Sequence, residues 1–205
     1  MPKLKELILS MENKVEEAIP KYSFISQEAY LEKERAATEK HEYYQGEIFA
    51  MSGASGNHNE IFSNLFGEIF PKLKEKGCKP YGSDLRIHVP KNTLYTYPDI
   101  SIICGDKKYT DDKFDTVTNP SVIIEILSRS TRNYDRLEKF SLYRDILTLQ
   151  EYILVDSQRV HIEKYFRNAN NTWELSDHDS LQEILTITTV DISISIEDIY
   201  HSLSF

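Results

Sequence analysis

One acidic residue inside an otherwise apolar run is the feature that most limits how this chain can fold. Glu125 lies in the segment VIIEIL, positions 122–127. A run of this kind predicts a strand that is covered on both faces. An isolated carboxylate there would cost a large desolvation free energy, or its pKa would rise until the group became neutral. The sequence therefore predicts a positively charged partner for Glu125.

Two other charged residues can give Glu125 a chemical task. Asp99 follows Pro98 at the head of the apolar segment 100–103, and Lys139 comes later in the chain. Two carboxylates repel each other unless a cation lies between them, and hard divalent ions prefer oxygen ligands. A set of two acids and one ammonium can hold Mg²⁺ or Mn²⁺ and lower the pKa of a bound water. Asp99, Glu125 and Lys139 therefore predict a metal-dependent hydrolase, with Asp99 and Glu125 as the metal ligands.

Lys139 lies in a segment, about 133–147, that predicts a helix directly after the strand of Glu125. At about 100° per residue, Asp135 and Lys139 fall on the inward arc of that helix. The apolar positions predicted on this arc are Leu137, Phe140, Tyr143, Ile146 and Leu147. An ordinary ion pair between Asp135 and Lys139, one turn apart, is the alternative interpretation. The hydrolase site is favoured over the simple ion pair, because the strand directly before this helix lets Lys139 reach the same end of the sheet as Glu125.

Periodicity and turn signals predict an α/β fold with a mixed sheet. Ser26 is a predicted N-cap for a first helix, and Asn57 with Glu60 forms a capping-box pattern at the start of a second. Residues 42–51 predict a hairpin around Gln45 and Gly46. The predicted strands are 81–89, 97–104, 122–128 and 151–156, followed by further strands within 160–166 and 172–196. Strand, helix, strand over 122–156 predicts a right-handed parallel crossover.

Size, charge and cysteine usage narrow the class of protein. The 205 residues predict one domain, 1–205, with a helical arm over 1–40 and a catalytic core over 57–156. No apolar stretch is long enough to cross a bilayer, and the start of the chain lacks a secretory apolar block, which predicts a cytoplasmic protein. Cys78 and Cys104 are accordingly expected to be reduced. The net charge of −9 argues against strong nonspecific binding to nucleic acid.

These residues resemble the PD-(D/E)XK nuclease superfamily. The order helix, three strands, helix, strand over about 57–156 is similar to its core, with Pro98-Asp99 as the PD and Glu125 as the acid of the third strand. The chain departs from the simple motif, since Leu127 stands where the superfamily has its lysine.

Within that superfamily the chain looks like the bacterial Uma-two family of restriction-endonuclease-like proteins, in which the lysine has moved to the next helix. The matching positions are 125–128, Asp135, Lys139, Tyr143 and 151–156, together with the hairpin 41–51 and His58. The resemblance implies a homodimeric, metal-dependent endonuclease acting on DNA. It also implies that Asp99 and Glu125 bind the metal and that Lys139 positions the nucleophilic water.

Several further residues are candidates for the same site. His58 at a helix start could contact a phosphate or a metal-bound water, although a lone histidine is as readily a packed core residue. Glu47 could add a carboxylate from the hairpin, and Asp84 from the first strand, although both also suit exposed surface positions. Arg132 could bind a phosphate or simply stand at a helix entrance, and Asp135 could join the carboxylates.

Three functions compete on this sequence. The first is a Mg²⁺-dependent endonuclease that cuts DNA. The second is a noncatalytic module that kept the nuclease fold, which the acidic balance and Leu127 favour. The third is a metal hydrolase of a smaller phosphate ester, for which an acidic surface would repel the substrate less.

Overall fold

The computed structural model describes residues 24–129 and 132–205, so most of the predicted helical arm, positions 1–23, lies outside the described residues. In chain order the elements are α1 (Gln27–Ala36), β1 (His41–Tyr44), β2 (Glu47–Ala50), α2 (Gly56–Leu73), β3 (Cys78–Gly82), β4 (Arg86–Val89), β5 (Leu94–Thr96), β6 (Ile100–Cys104), β7 (Thr116–Val117), β8 (Val122–Leu127), a π-helical turn (Tyr134–Lys139), α3 (Phe140–Tyr143), β9 (Glu151–Asp156), β10 (Ile162–Arg167), β11 (Trp173–His178), β12 (Ile184–Ile187), a 3₁₀ turn (Thr188–Val190), β13 (Ile192–Ser195) and α4 (Ile196–Ile199). None of the described helices is long and apolar enough to span a bilayer.

Six strands form the central sheet, in the order β11-β10-β9-β8-β6-β3. β8 and β9 pair in parallel, with Glu125 opposite Leu154, while β6 and β8 are antiparallel. The predicted parallel pairing of the strands at 122–128 and 151–156 is therefore confirmed. A second sheet has the order β2-β1-β5-β4-β7, and β12 pairs with β13 as a separate ribbon.

β8 is covered on both faces, as its apolar sequence predicts. Val122, Ile124 and Ile126 pack on one side in the core that contains α2 and the C-terminal ribbon. Ile123 and Leu127 pack on the other side in the core that contains α3. All six side chains of β8 are buried, Glu125 among them, because apolar layers exclude water from each face.

The predicted strand 81–89 is wrong. β3 belongs to the central sheet and β4 to the second sheet, with a turn between them. Arg86 is charged and stands in an alternating apolar and polar segment, yet it is buried in β4, where it donates to Thr116 Oγ1 at 2.9 Å and to Tyr97 Oη at 2.8 Å. Alternation misleads here because these hydrogen bonds allow a charged side chain to be buried.

The predicted helix 133–147 is also shorter and different in kind. Residues 134–139 form a π-helical turn, and the α-helix that follows it is the short Phe140–Tyr143. Leu137 and Leu147, predicted inward, are 71% and 85% exposed. A wheel at 100° per residue fails for Leu137 because a π turn closes its hydrogen bonds over five residues instead of four, and it fails for Leu147 because the helix has already ended at Tyr143.

Local signals near the chain's first turns are confirmed in part. Ser26 Oγ accepts a hydrogen bond from Ala29 N at 3.2 Å at the start of α1, as predicted. The hairpin turns at Gln45 and Gly46, which both have positive φ, the geometry of a tight two-residue turn.

Two other local expectations are wrong. α2 begins one residue earlier than predicted, and its N-cap is Ser55, whose Oγ accepts from His58 N at 3.3 Å, while Glu60 is exposed. Cys78 and Cys104, expected to be reduced, form a disulfide, because the register of β3 and β6 places them directly opposite each other.

Candidate active site

Glu125 occupies the centre of the site because β8 has apolar layers on both sides. Its carboxyl group is buried, and burial raises its pKa to about 8, against the opposing effect of the Lys139 charge. The negative charges of Asp99 and Asp135 raise this pKa further. Glu125 Oε1 forms an ion pair with Lys139 Nζ at 3.0 Å and accepts a hydrogen bond from Tyr143 Oη at 2.9 Å. The predicted positive partner of Glu125 is thus Lys139.

Asp99 reaches Glu125 because it immediately precedes β6, which runs antiparallel to β8 with Ile100 opposite Ile124. The Asp99 backbone N donates to Glu125 Oε2 at 3.3 Å, and Asp99 Oδ2 accepts from Ile126 N at 2.7 Å. His58 Nε2, from the first turn of α2, lies 3.2 Å from the same Oδ2. These contacts fix the Asp99 carboxylate beside the strand that carries Glu125.

Lys139 is buried at the end of the π turn and is surrounded by acids. Its Nζ lies 3.1 Å from Glu42 Oε1 and 3.6 Å from Asp135 Oδ1, in addition to its contact with Glu125. Burial lowers the pKa of Lys139, but the charge of Glu125 first, and then those of Tyr143, Glu42 and Asp135, raise it well above its usual value. The surrounding carboxylates therefore favour the ammonium form of Lys139.

Glu42 is the residue of this site that sequence reasoning missed. It lies on β1, buried, and Thr96 Oγ1 donates a hydrogen bond to its Oε1. The sequence pattern around Glu42 predicts only its place in the hairpin 41–51. The available signal was an acid beside Tyr43 in an aromatic strand, which is the same anomaly that identified Glu125. We call Glu42, Asp99, Glu125, Asp135 and Lys139 the site cluster.

Two candidate residues lie away from this cluster. Asp84 is 97% exposed and pairs with Lys40 at 2.6 Å. Glu47 is exposed on β2 beside the hairpin turn, where it pairs with Tyr44 of β1. Both occupy the surface positions that the alternative interpretation predicts.

Arg132 lies at the edge of the site. Its Nη2 donates to Asp156 Oδ1 at 2.7 Å, at the end of β9. Asp156 neighbours Leu127 across the β8–β9 pair, two residues beyond Glu125. Arg132 is therefore placed beyond the same end of the strands as the site cluster, without a contact to it among the described residues.

The charge of the site cluster bears on whether a metal ion fits. Its members are four carboxylates and one ammonium, so the buried group has an excess of negative charge. Among the described residues, Asp99 Oδ1 has no hydrogen-bond donor, and Glu125 Oε2 accepts only the long bond from Asp99 N. The described residues contain no group of three or more His, Cys, Asp or Glu arranged to hold a metal by themselves. Two carboxylates with one available oxygen each suit Mg²⁺, which keeps several waters and shares its ligands with a phosphate.

Comparison with known proteins places these residues in a family. Residues 27–197 match the Uma2 family, described as "Putative restriction endonuclease". The chain belongs to the Uma2 family. The matched range contains every member of the site cluster as well as His58.

Two Synechocystis proteins and one crystal structure resemble this Uma2 chain. The uncharacterized protein sll1609 of Synechocystis sp. PCC 6803 is 38% identical over 148 residues, covering 72% of this chain and 84% of that protein. The uncharacterized protein slr1290 of the same organism is 35% identical over 181 residues, covering 88% and 94%. A putative nuclease belonging to DUF820 from Anabaena variabilis ATCC 29413 superimposes with a TM-score of 0.67 at 19% identity, over 80% of this chain and 91% of that one. The nuclease-like mixed α/β fold is thereby confirmed.

Proposed function

We propose that this protein is a metal-dependent endonuclease that hydrolyses DNA phosphodiester bonds. Asp99 and Glu125 would hold Mg²⁺ or Mn²⁺, and Lys139 would position the attacking water. The observation that carries the proposal is the convergence of three residues that are distant in sequence. Lys139 Nζ lies 3.0 Å from Glu125 Oε1, and the Asp99 backbone donates to the other oxygen of Glu125.

Each residue has a task that follows from its surroundings. When bound, the divalent ion supplies Lewis-acid stabilisation of negative charge and a lower pKa for water. Lys139, which three carboxylates hold as an ammonium, would donate hydrogen bonds to a water or a phosphate oxygen rather than act as a base. His58, on Asp99 Oδ2, holds that carboxylate in one orientation. The covered faces of β8 exclude bulk water, which strengthens these interactions.

Plasmid nicking by matched pairs of variants tests the proposal. With Mg²⁺ or Mn²⁺ the purified protein is expected to nick supercoiled DNA, and Asp99→Asn should reduce the rate at least about a thousandfold, equivalent to ~4 kcal/mol. Asp84→Asn is the control, because it makes the same chemical change at a residue that is 97% exposed. Lys139→Gln should also abolish nicking. Undiminished nicking by Asp99→Asn and Lys139→Gln would refute this site.

The acidic balance of the chain favours a second candidate function, a metal hydrolase of a smaller phosphate ester. The net charge is −9, and the side chains of Glu125 and Lys139 are only 5% and 7% exposed, so a small substrate would meet less repulsion and enter more easily. Hydrolysis of bis(p-nitrophenyl) phosphate without plasmid nicking, lost in Asp99→Asn, would favour this candidate. Absence of both activities, with no saturable Mn²⁺ binding by calorimetry, would favour a noncatalytic module.

We propose in addition that the protein acts as a homodimer in the cytoplasm. The family resemblance supports the dimer, and sedimentation velocity tests it. The disulfide between Cys78 and Cys104 is the observation that weighs against a reducing compartment. Alkylation of the protein in freshly lysed cells, followed by mass measurement, reports whether the two thiols are free there.

A further inference from the structure

A polar cavity of about 460 Å³ opens beside the site, and none of the proposed catalytic residues lines it. Its walls are Arg129, Arg132, Asn133 and Gln158. This lining contains two arginines, two amides and no acid. In a chain with a net charge of −9, a concave surface with this lining stands out as a place for an anion.

The cavity lies at the same end of the central sheet as the site cluster. Arg129 follows the end of β8, four residues after Glu125, so the two Cα atoms are at most about 14 Å apart. Gln158 follows the end of β9, the parallel neighbour of β8. Asn57 connects the end of β9 with the site. Its Nδ2 donates to Ser157 O at 3.3 Å, and the next residue in the chain is His58.

The buried carboxylate of Asp156 holds the cavity wall in place. Its Oδ1 accepts from Arg132 Nη2 at 2.7 Å and from Gln158 N at 2.9 Å. Arg159 Nε lies 3.5 Å from Oδ2, which gives the one carboxylate a second guanidinium. Arg132 keeps a buried Nε with no hydrogen-bond partner among the described residues. These contacts hold the cavity wall in one conformation. One of the two guanidinium groups balances the charge of Asp156, so the wall keeps a net positive charge.

A purely structural explanation accounts for only part of this arrangement. Arg132 could exist only to neutralise Asp156, which has no exposed surface. That explanation leaves out Arg129, which is exposed and lines the same cavity, and the second guanidinium from Arg159. Guanidinium groups match the geometry of phosphate oxygens, and amide side chains add neutral donors.

We propose that this cavity binds a backbone phosphate of the nucleic acid, next to the phosphate that is cleaved, with Arg129 and Arg132 as its charged contacts. The proposal rests on the proposed function, since it assigns the cavity to the same substrate. It also explains how an acidic chain can hold DNA. Arg129, Arg132 and Arg159 bring three guanidinium groups to the end of β8 and β9, beside the site where the substrate has to lie.

Binding of DNA without divalent metal tests the cavity separately from catalysis. A fluorescein-labelled 20-base-pair duplex is titrated with the full chain in EDTA at several NaCl concentrations. Arg129→Ala is expected to weaken binding roughly threefold to tenfold and to reduce the slope of log K against log[NaCl] by about one, the signature of one lost phosphate contact. Arg129→Lys should retain most of the affinity and the slope.

Lys74→Ala is the matched control. Lys74 is exposed and follows the other end of α2, a helix about 27 Å long whose first turn carries His58. Its removal makes the same charge change far from the cavity and should leave affinity and slope unchanged. Arg132→Lys, which keeps a cation beside Asp156, should fold and bind more weakly than the parent chain because it loses the guanidinium fork.

The outcomes separate this inference from the endonuclease proposal. If Arg129→Ala and Lys74→Ala have the same affinity and slope, the cavity proposal is overturned even when the parent chain nicks plasmid. If the Arg129 effect is present and no nicking occurs, the assignment of the cavity to a nucleic-acid phosphate stands and the endonuclease proposal fails. Failure of the parent chain to bind duplex DNA, single-stranded DNA and RNA overturns the cavity proposal. So does Arg129-dependent binding of inorganic phosphate without any Arg129 effect on DNA, because the cavity then takes a free phosphate.

Discussion

Two ionic groups among the described residues differ in their electrostatic character, and one is buried whereas the other is partly exposed. The site cluster places three carboxylates around Lys139 and a fourth, Asp99, beside Glu125, and burial raises the pKa of Glu125 to about 8. The other group, which we call the anchor network, joins α1 to the second sheet. Its members are Glu34, Arg35, Arg86, Tyr97, Asp111 and Asp115.

Carboxylates in the anchor network are matched by donors. Arg35 Nε and Arg86 Nη2 lie 2.7 Å and 3.1 Å from Asp115 Oδ2, and the hydrogen bond from Arg35 lowers the pKa of Asp115. Glu34 Oε1 accepts from Tyr97 Oη at 2.8 Å and from His41 N at 2.9 Å. Asp115, whose pKa is lowered, stabilises the fold when it is ionised, whereas the surroundings of Glu125 disfavour its charged form. The difference indicates which buried charges hold the fold together and which are available for a cation or a substrate.

The same substitution in both groups should have opposite results, and this is the largest effect we expect. Glu125→Gln should abolish nicking, by at least about a thousandfold, while the free energy of unfolding at pH 7 should be no lower than that of the parent, because the unfolded amide gains nothing from ionisation. The amide resembles the protonated acid, which the raised pKa already favours at that pH. Glu34→Gln should cost about 1–3 kcal/mol of stability, because the hydrogen bonds from Tyr97 Oη and His41 N are weaker to a neutral amide than to a carboxylate, and should leave the nicking rate of the folded protein unchanged. Urea unfolding and plasmid nicking measure the two effects.

Replacing Arg86, the buried arginine of the anchor network, should give the next largest effect, a loss of stability. Arg86→Met is expected to destabilise the protein by about 3 kcal/mol, because Tyr97 and Asp115 lose their buried partner. Lys91→Met is the control, since its pair with Asp145 has a lysine that is 73% exposed and should contribute less than about 1 kcal/mol. Thermal unfolding of both variants decides the matter. Equal melting temperatures would mean that the anchor network does not stabilise the fold.

The pH dependence of stability should differ in sign between the two groups. The pKa of Glu125 is higher in the folded protein, about 8, than its ordinary value of 4.5, so its contribution to stability is complete below about pH 4.5 and is lost as the pH rises to 8. Asp115 has a lowered pKa in the folded protein, so its contribution is present above its ordinary pKa of 3.8 and is lost as the pH falls below it. Urea unfolding in EDTA from pH 3 to 8, for the parent, Glu125→Gln and Asp115→Asn, gives each contribution as a difference. Differences that change with pH in the same direction would contradict the comparison.

The sequence predicts those residues of the two groups whose signal lies in the neighbouring residues. Glu125 and Lys139 were predictable because each contradicts its immediate surroundings, an acid in an apolar strand and a lysine on a buried helix face. The pairing of β8 with β9 followed from strand, helix, strand order. These signals are local, and they were enough for the fold class and the centre of the site.

The remaining residues depend on contacts between distant segments. Glu42 enters the site only because β1 pairs with β5, which brings it beside Thr96 and Lys139. Arg86 looked like a surface residue because its partners, Tyr97 and Asp115, come from other elements. The π turn placed Leu137 in solvent while Lys139 stayed buried, which no regular period could anticipate.

The smallest expected effect is stabilisation by a divalent ion, and it separates the two groups most directly. A cation bound by Asp99 and Glu125 relieves the excess negative charge of the site cluster, so 10 mM MgCl₂ is expected to stabilise the parent chain by roughly 1 kcal/mol for a millimolar affinity. In a chain of this length that corresponds to about 3 °C in melting temperature. Asp99→Asn should lose the shift, and Asp84→Asn, exposed and paired with Lys40, should keep it. Glu34→Gln should also keep the shift in melting temperature, because the carboxylates of the anchor network already accept hydrogen bonds from protein donors and are not expected to bind the ion. A shift of equal size in Asp99→Asn would place the ion elsewhere and remove the electrostatic reason for regarding the excess of acids as a metal site.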